Sequence, residues 1–271
     1  MPTASLTSRL TAPFRALLAL AGLVVATGAS AAPPLDPKGK DWDTQASMAI
    51  DYAWSQMQDA PHVAIEVADA VIAGYAQRYP QGRTRWYSAS SEAEAARYRS
   101  IDAVARDPAY DRAEAMVNVW GEAYHVKAYA LVEQALAEHD PKTVKTASNL
   151  PTLDPALAAR AMQTLAEGLV LQPYHVRMRN ELGYLEQSLG QSQQALETFR
   201  MAELAAQDPK DDEARANLTR AMRGVGFALI ELDRLDEAEA KYREVLRIDP
   251  DDDKAKHELR YIEDVRGERG D

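Results

Sequence analysis

The chain contains no cysteine among its 271 residues, which excludes disulfides and thiolate metal sites. Its five histidines, His62, His125, His139, His175 and His257, show no H-E-x-x-H spacing, and no G-x-S-x-G or phosphate-loop lysine motif occurs. The stretch "GVGFAL" from Gly224 lacks the third glycine of a dinucleotide fingerprint and falls within a helical pattern. With no constellation of nucleophile, base and oxyanion donors, the chain reads as non-catalytic, with neither cofactor nor metal expected. Also missing is sustained period-two alternation, so the periodicity predicts helices throughout.

No apolar run reaches the ~20 residues of a membrane span. The longest, "ALLALAGLVVATGA", follows the only early charges, Arg9 and Arg15, and ends in Ala29-Ser30-Ala31. A basic start, a short apolar stretch and a small-x-small site predict a signal peptide over residues 1–31, cleaved near Ala31. The expected location is the periplasm, since a secreted chain without disulfides fits that compartment, with no stable membrane insertion after cleavage. Removing two arginines takes the net charge from −11 to −11 − 2 = −13. Such an acidic chain is a poor partner for nucleic acid.

Residues 32–40, "APPLDPKGK", hold three prolines and a glycine and read as a linker. Residues 41–138 follow as an N-terminal helical region. Pro61 is placed to open one helix. "QGRTRWYSAS" reads as a loop with a short helical turn. Ser91 to Glu94 form a capping box that opens a helix to about Arg106, and a longer helix is expected over "RAEAMVNVWGEAYHVKAYALVEQALAE". Residues 139–156, rich in proline, form an inserted loop ending at Asp154-Pro155, an N-cap followed by proline at the first helical position. Residues 157–267 carry repeated helix pairs and a final helix.

The repeat is visible in two segments. Gly183 precedes Ala195 by twelve residues and Gly226 precedes Ala238 by twelve; Phe199 and Tyr242 each follow their alanine by four. A mid-helix glycine costs ~1 kcal/mol against alanine, so close approach of the paired helix, glycine against the methyl of Ala195 or Ala238, is the expected reason for it. Pro250 closes the second segment. These spacings resemble the tetratricopeptide repeat, a 34-residue helix-turn-helix unit. The match is strongest over 219–252 and good over 176–209. A third copy, with Ala128 in one helix and Ala161 in the next, is interrupted by the inserted loop. The resemblance implies an all-α, right-handed α-solenoid with a C-terminal capping helix, and degenerate repeats before residue 138.

It also implies a concave groove, lined by the first helix of each pair, that holds a partner protein or peptide segment. Tyr129, Tyr184, Phe227 and Tyr261 occupy equivalent positions in four first helices. Four residues before these aromatics stand His125, Asn180, Arg223 and His257, and seven before the last three stand Arg177, Arg220 and Lys254. Basic groups and an amide suit carboxylates, and the rings suit apolar side chains. The alternatives are a glycan or peptidoglycan-fragment site built from Trp42, Trp54, Trp86 and Trp120 with "GRTRWY", and a hydrolase site near His139 and Asp140.

Overall fold

A computed structural model describes residues 32–81, 86–100, 114–137, 153–207 and 209–270. Residues 1–31, where a signal peptide is expected, most of the 139–156 segment with His139 and Asp140, and the arginines of "GRTRWY" lie outside the described residues. The described residues are mostly helical, in ten helices: α1 (Trp42–Ser55), α2 (Pro61–Arg78), α3 (Glu92–Ser100), α4 (Trp120–Ala137), α5 (Pro155–Leu171), α6 (Val176–Ser188), α7 (Ser192–Ala205), α8 (Asp212–Glu231), α9 (Leu235–Ile248) and α10 (Asp253–Arg269). Two strands, β1 (Trp86–Ala89) and β2 (Glu114–Val117), separate them in the N-terminal half. The chain divides into two compact units, Met1–Gln172 and Pro173–Asp271.

The strands correct the expectation of helix alone. β1 and β2 pair in parallel, Trp86 opposite Glu114 through Ala89 opposite Val117. Three of the four β1 residues are buried, as in a strand covered on both faces, where alternation disappears. That is why "WYSA" gives no period-two signal and reads as a loop. The longer helix expected from Arg112 begins only at Trp120. At the strand ends, Ser88 Oγ donates to Asn118 Oδ1 (2.8 Å) and accepts from Gly121 N (3.0 Å), while Asn118 Oδ1 also accepts from Trp120 N.

Local signals elsewhere in the first unit hold. Pro61 opens α2. The Asp154 side chain caps α5, accepting from Ala156 N and Leu157 N at 2.9 Å, with Pro155 in the first turn. Ser91 Oγ accepts from Glu94 N, and the Glu94 carboxylate takes Ser90 N at 2.7 Å, one residue earlier than a strict capping box. The hydrophobic interior centres on α4, which packs against α1, α2 and α5. Trp42 lies across Gly74, so close that a methyl there would fall inside its ring.

In the second unit α6 pairs with α7, α8 with α9, and α10 closes the series against α8 and α9. The buried residues of α9 are Ala238, Tyr242 and Val245, the stripe at helical spacing that no single hairpin covers alone. The glycine contacts differ from expectation. A methyl on Gly183 would meet the Phe199 ring at 2.7 Å, and one on Gly226 the Tyr242 ring at 2.7 Å. The aromatic, rather than the alanine four residues earlier, fills the glycine's space, because a ring reaches farther than a methyl. Phe199 also presses on Gly224 of α8, so one ring sits between α6 and α8. The glycines of "GVGFAL" are packing surfaces. Ala195 and Ala238 are themselves fully buried, as are Ala128 and Ala161 on α4 and α5 of the first unit, while Pro250 stands exposed in the turn before α10.

Candidate partner-binding face

Helices α6, α8 and α10 lie side by side, which brings three of the four predicted rows together. Tyr184, Phe227 and Tyr261 are each half-buried, neither sealed in the core nor wholly in solvent. Tyr184 stands edge-on to Phe199 (centroids 4.9 Å) and carries the Arg220 guanidinium 5.2 Å over its ring. The fourth aromatic, Tyr129, belongs to α4 in the other unit. It is buried there beside Trp54 (5.6 Å) and His125.

The basic row is organised by acids that the sequence pattern did not single out. Arg220 Nη2 donates to Glu181 Oε1 of α6 at 2.7 Å. Burial works against the Arg220 charge, but Glu181 and Tyr184 outweigh it and its pKa rises. Its Nε is buried without a hydrogen-bond acceptor among the described residues. Arg223 pairs with Asp252 Oδ2, whose other oxygen caps α10 by accepting from Ala255 N at 2.8 Å. Arg177 stands 3.7 Å from Glu213 of α8. Both tight pairs join neighbouring first helices, so Arg220 and Arg223 stitch the stack as well as charging its face. Glu181 precedes its aromatic by three, and Asp252 stands where an N-cap is expected. Each is legible locally, but neither ion pair can be read from a single chain.

Asn180 is completely buried; its Nδ2 donates to Asn217 O (3.2 Å), while Oδ1 has no donor among the described residues. His257 Nδ1 lies 3.3 Å from Glu258 Oε1. Lys254, half-buried in the first turn of α10, differs from Lys241 and Lys256. Lys241 Nζ is 2.6 Å from Glu244 and 2.9 Å from Glu203, and Lys256 has Asp251 and Asp253 at 3.8 Å. No carboxylate among the described residues stands within ion-pair distance of Lys254. Burial first, then Arg223 and Arg220, push its pKa below the usual lysine range, against a weaker opposing pull from Asp252.

Three of the tryptophans named for a glycan site, Trp42, Trp86 and Trp120, join one aromatic cluster through Tyr75 and Tyr79. Trp42 and Trp120 are core residues, Trp54 donates its Nε1 to Glu122 Oε1 (3.2 Å), and Trp86 leans on Tyr79 at 5.6 Å. No described helix is long and apolar enough to cross a membrane. No protein-family model matches the chain, and no curated protein matches it.

Proposed function

We propose that this protein is a non-catalytic scaffold of the tetratricopeptide type, a right-handed solenoid, that binds an acidic, apolar-containing segment of a partner protein across α6, α8 and α10. The observation that carries the reading is the half-buried Lys254, with no carboxylate among the described residues at ion-pair distance, at the helix position equivalent to Arg220 in an otherwise acidic chain whose neighbouring helices carry half-buried rings. Potential is unevenly distributed: Arg220 and Arg223 are partly neutralised by Glu181 and Asp252, so Lys254 supplies the unbalanced charge. Phe227 and Tyr261 offer apolar surface for alternate side chains of an extended segment. Tyr184 would contribute through its exposed edge, with Arg177 and His257 at the margins.

Export to the periplasm completes the proposal and rests on the pattern of residues 1–31. The test of binding is fluorescence anisotropy with labelled peptides of matched length, acidic, neutral and basic, each carrying two apolar residues. Acidic peptides should bind best, weaken with salt, and lose most of their affinity with Lys254→Glu. Equal binding of the basic set would refute the face. Recovery of the chain from periplasm with its N-terminus at Ala32 would support export, and an intact Met1 in the cytoplasm would remove it.

A further inference from the structure

Five rings of the first unit touch in a chain that runs from solvent into the core. Trp86 and Tyr79 are half-buried, with ring centroids 5.6 Å apart, and Tyr79 stacks on Tyr75 (6.4 Å) and on Trp120 (6.2 Å). Tyr75 is the hub. It stacks on Trp120 at 5.5 Å and meets Trp42 edge-on at 5.2 Å. Tyr75 and Trp42 expose no surface, and Trp120 only 2 %. Trp42 lies against the bare backbone of Gly74, so packing fixes the ring in place.

These rings differ in where a proton can go. Nε1 of Trp42 and of Trp120 is buried with no acceptor among the described residues, and an indole has no other polar atom. Tyr75 instead donates its hydroxyl to Asp43 Oδ1 at 2.9 Å. Burial first, then Asp43, raises the Tyr75 pKa, so the resting phenol keeps its proton. Losing an electron makes a phenol strongly acidic, and here a carboxylate already holds the hydrogen bond. Trp42 and Trp120, once oxidised, have no base to take the proton and pass the deficit to Tyr75.

We propose that this cluster is an electron-hole path: an oxidising equivalent taken up at Trp86 or Tyr79 ends as a neutral radical on Tyr75. The oxidant is an external one-electron acceptor, a radical or a high-valent metal complex. The outer ring gives it one electron, Tyr75 replaces that electron through the stacked rings, and the Tyr75 hydroxyl proton crosses to Asp43. The balance is ArOH + RCOO− + oxidant → ArO• + RCOOH + oxidant−, the phenol oxidised and the oxidant reduced by one electron each. A radical held between Trp42 and Trp120 is out of reach of a second chain. One left on an exposed tyrosine couples with another into a covalent cross-link.

The experiment illuminates the intact chain with a ruthenium polypyridyl sensitiser and a sacrificial cobalt(III) acceptor, freezes it rapidly, and reads the radical by electron paramagnetic resonance. A tyrosyl signal with an exchangeable-proton coupling, lost in deuterium oxide, should form and should disappear in Tyr75→Phe. Asp43→Asn keeps a hydrogen-bond acceptor without a base, and should slow the signal's rise about a hundredfold, the lower range for a positioned proton acceptor. Tyr98 is the control, because it also donates to a carboxylate, Glu94 Oε1 at 2.7 Å, but stacks on Tyr87, which is itself buried. Tyr98→Phe should leave the signal intact. Tyrosine cross-linked dimer should increase in Tyr75→Phe under the same illumination. The absence of a tyrosyl signal, a signal that survives Tyr75→Phe or vanishes in Tyr98→Phe, or cross-linking indifferent to Tyr75 would overturn the proposal.

Discussion

The two compact units solve the same packing problem with different degrees of repetition. In the second, a ring laid over a bare glycine backbone occurs at Phe199 on Gly183 and Gly224, and again at Tyr242 on Gly226. In the first, Trp42 covers Gly74 in the same manner, the one such contact among its described residues, and the neighbouring elements include a parallel strand pair. A contact used twice at constant spacing announces itself in the sequence. Used once, the identical contact leaves no period to detect.

Breaking that contact in each unit tests whether it carries equal weight. Phe199→Ala should have the largest effect, about 3–5 kcal/mol, read as a lower midpoint in urea with faster amide exchange over α6 to α8. Gly74→Val should cost about 1–3 kcal/mol or more, because the indole is buried and has no room to retreat. If Gly74→Val were neutral while Phe199→Ala was severe, the ring-on-glycine rule would belong to the repeats alone. Asp252→Ala removes a cap, worth about 0.5–2 kcal/mol, and strands Arg223; Asp252→Asn keeps an oxygen for Ala255 N and isolates the ionic part. Arg266→Ala on the last helix, which loses Asp236 and Glu239, should lower the urea midpoint least of the four, and the difference should vanish in high salt.

Acidity offers the mildest probe of the second unit. Glu186 is buried near the α6–α7 turn, with Oε2 lacking a partner among the described residues. Burial raises its pKa and Glu197 adds to this, while a hydrogen bond with Thr198 opposes it. Folding therefore favours the protonated form: that stabilisation is complete below the unfolded pKa and is lost as pH rises through the folded one. Glu186→Gln should raise the urea midpoint at neutral pH and converge with the parent chain in acid. A constant difference across that range would exclude the carboxyl as the cause.

How much could be read in advance follows from the same contrast. Asp154 with Pro155, Pro61, and Ser91 with Glu94 are local signals, in which cap and helix are neighbours in sequence, and each appears where expected. The Gly–Ala–aromatic spacing gave the helix pairs of the second unit. It misassigned the contact, since spacing records that two positions face each other without saying which side chain fills the gap. β1 was hidden because burial on both faces erases alternation. The ion pairs of Arg220 and Arg223 were hidden because their partners arrive from other helices, 39 and 29 residues away in sequence.

Phe199 touches glycines on two successive first helices, so the thickness of one benzene ring acts as the spacer between them. Loop length then has little say in the pitch. The longer α8, 20 residues against 13 in α6, keeps the same ring-filled gap to its neighbour, so chain added between these helices need not change the separation of Tyr184 and Phe227.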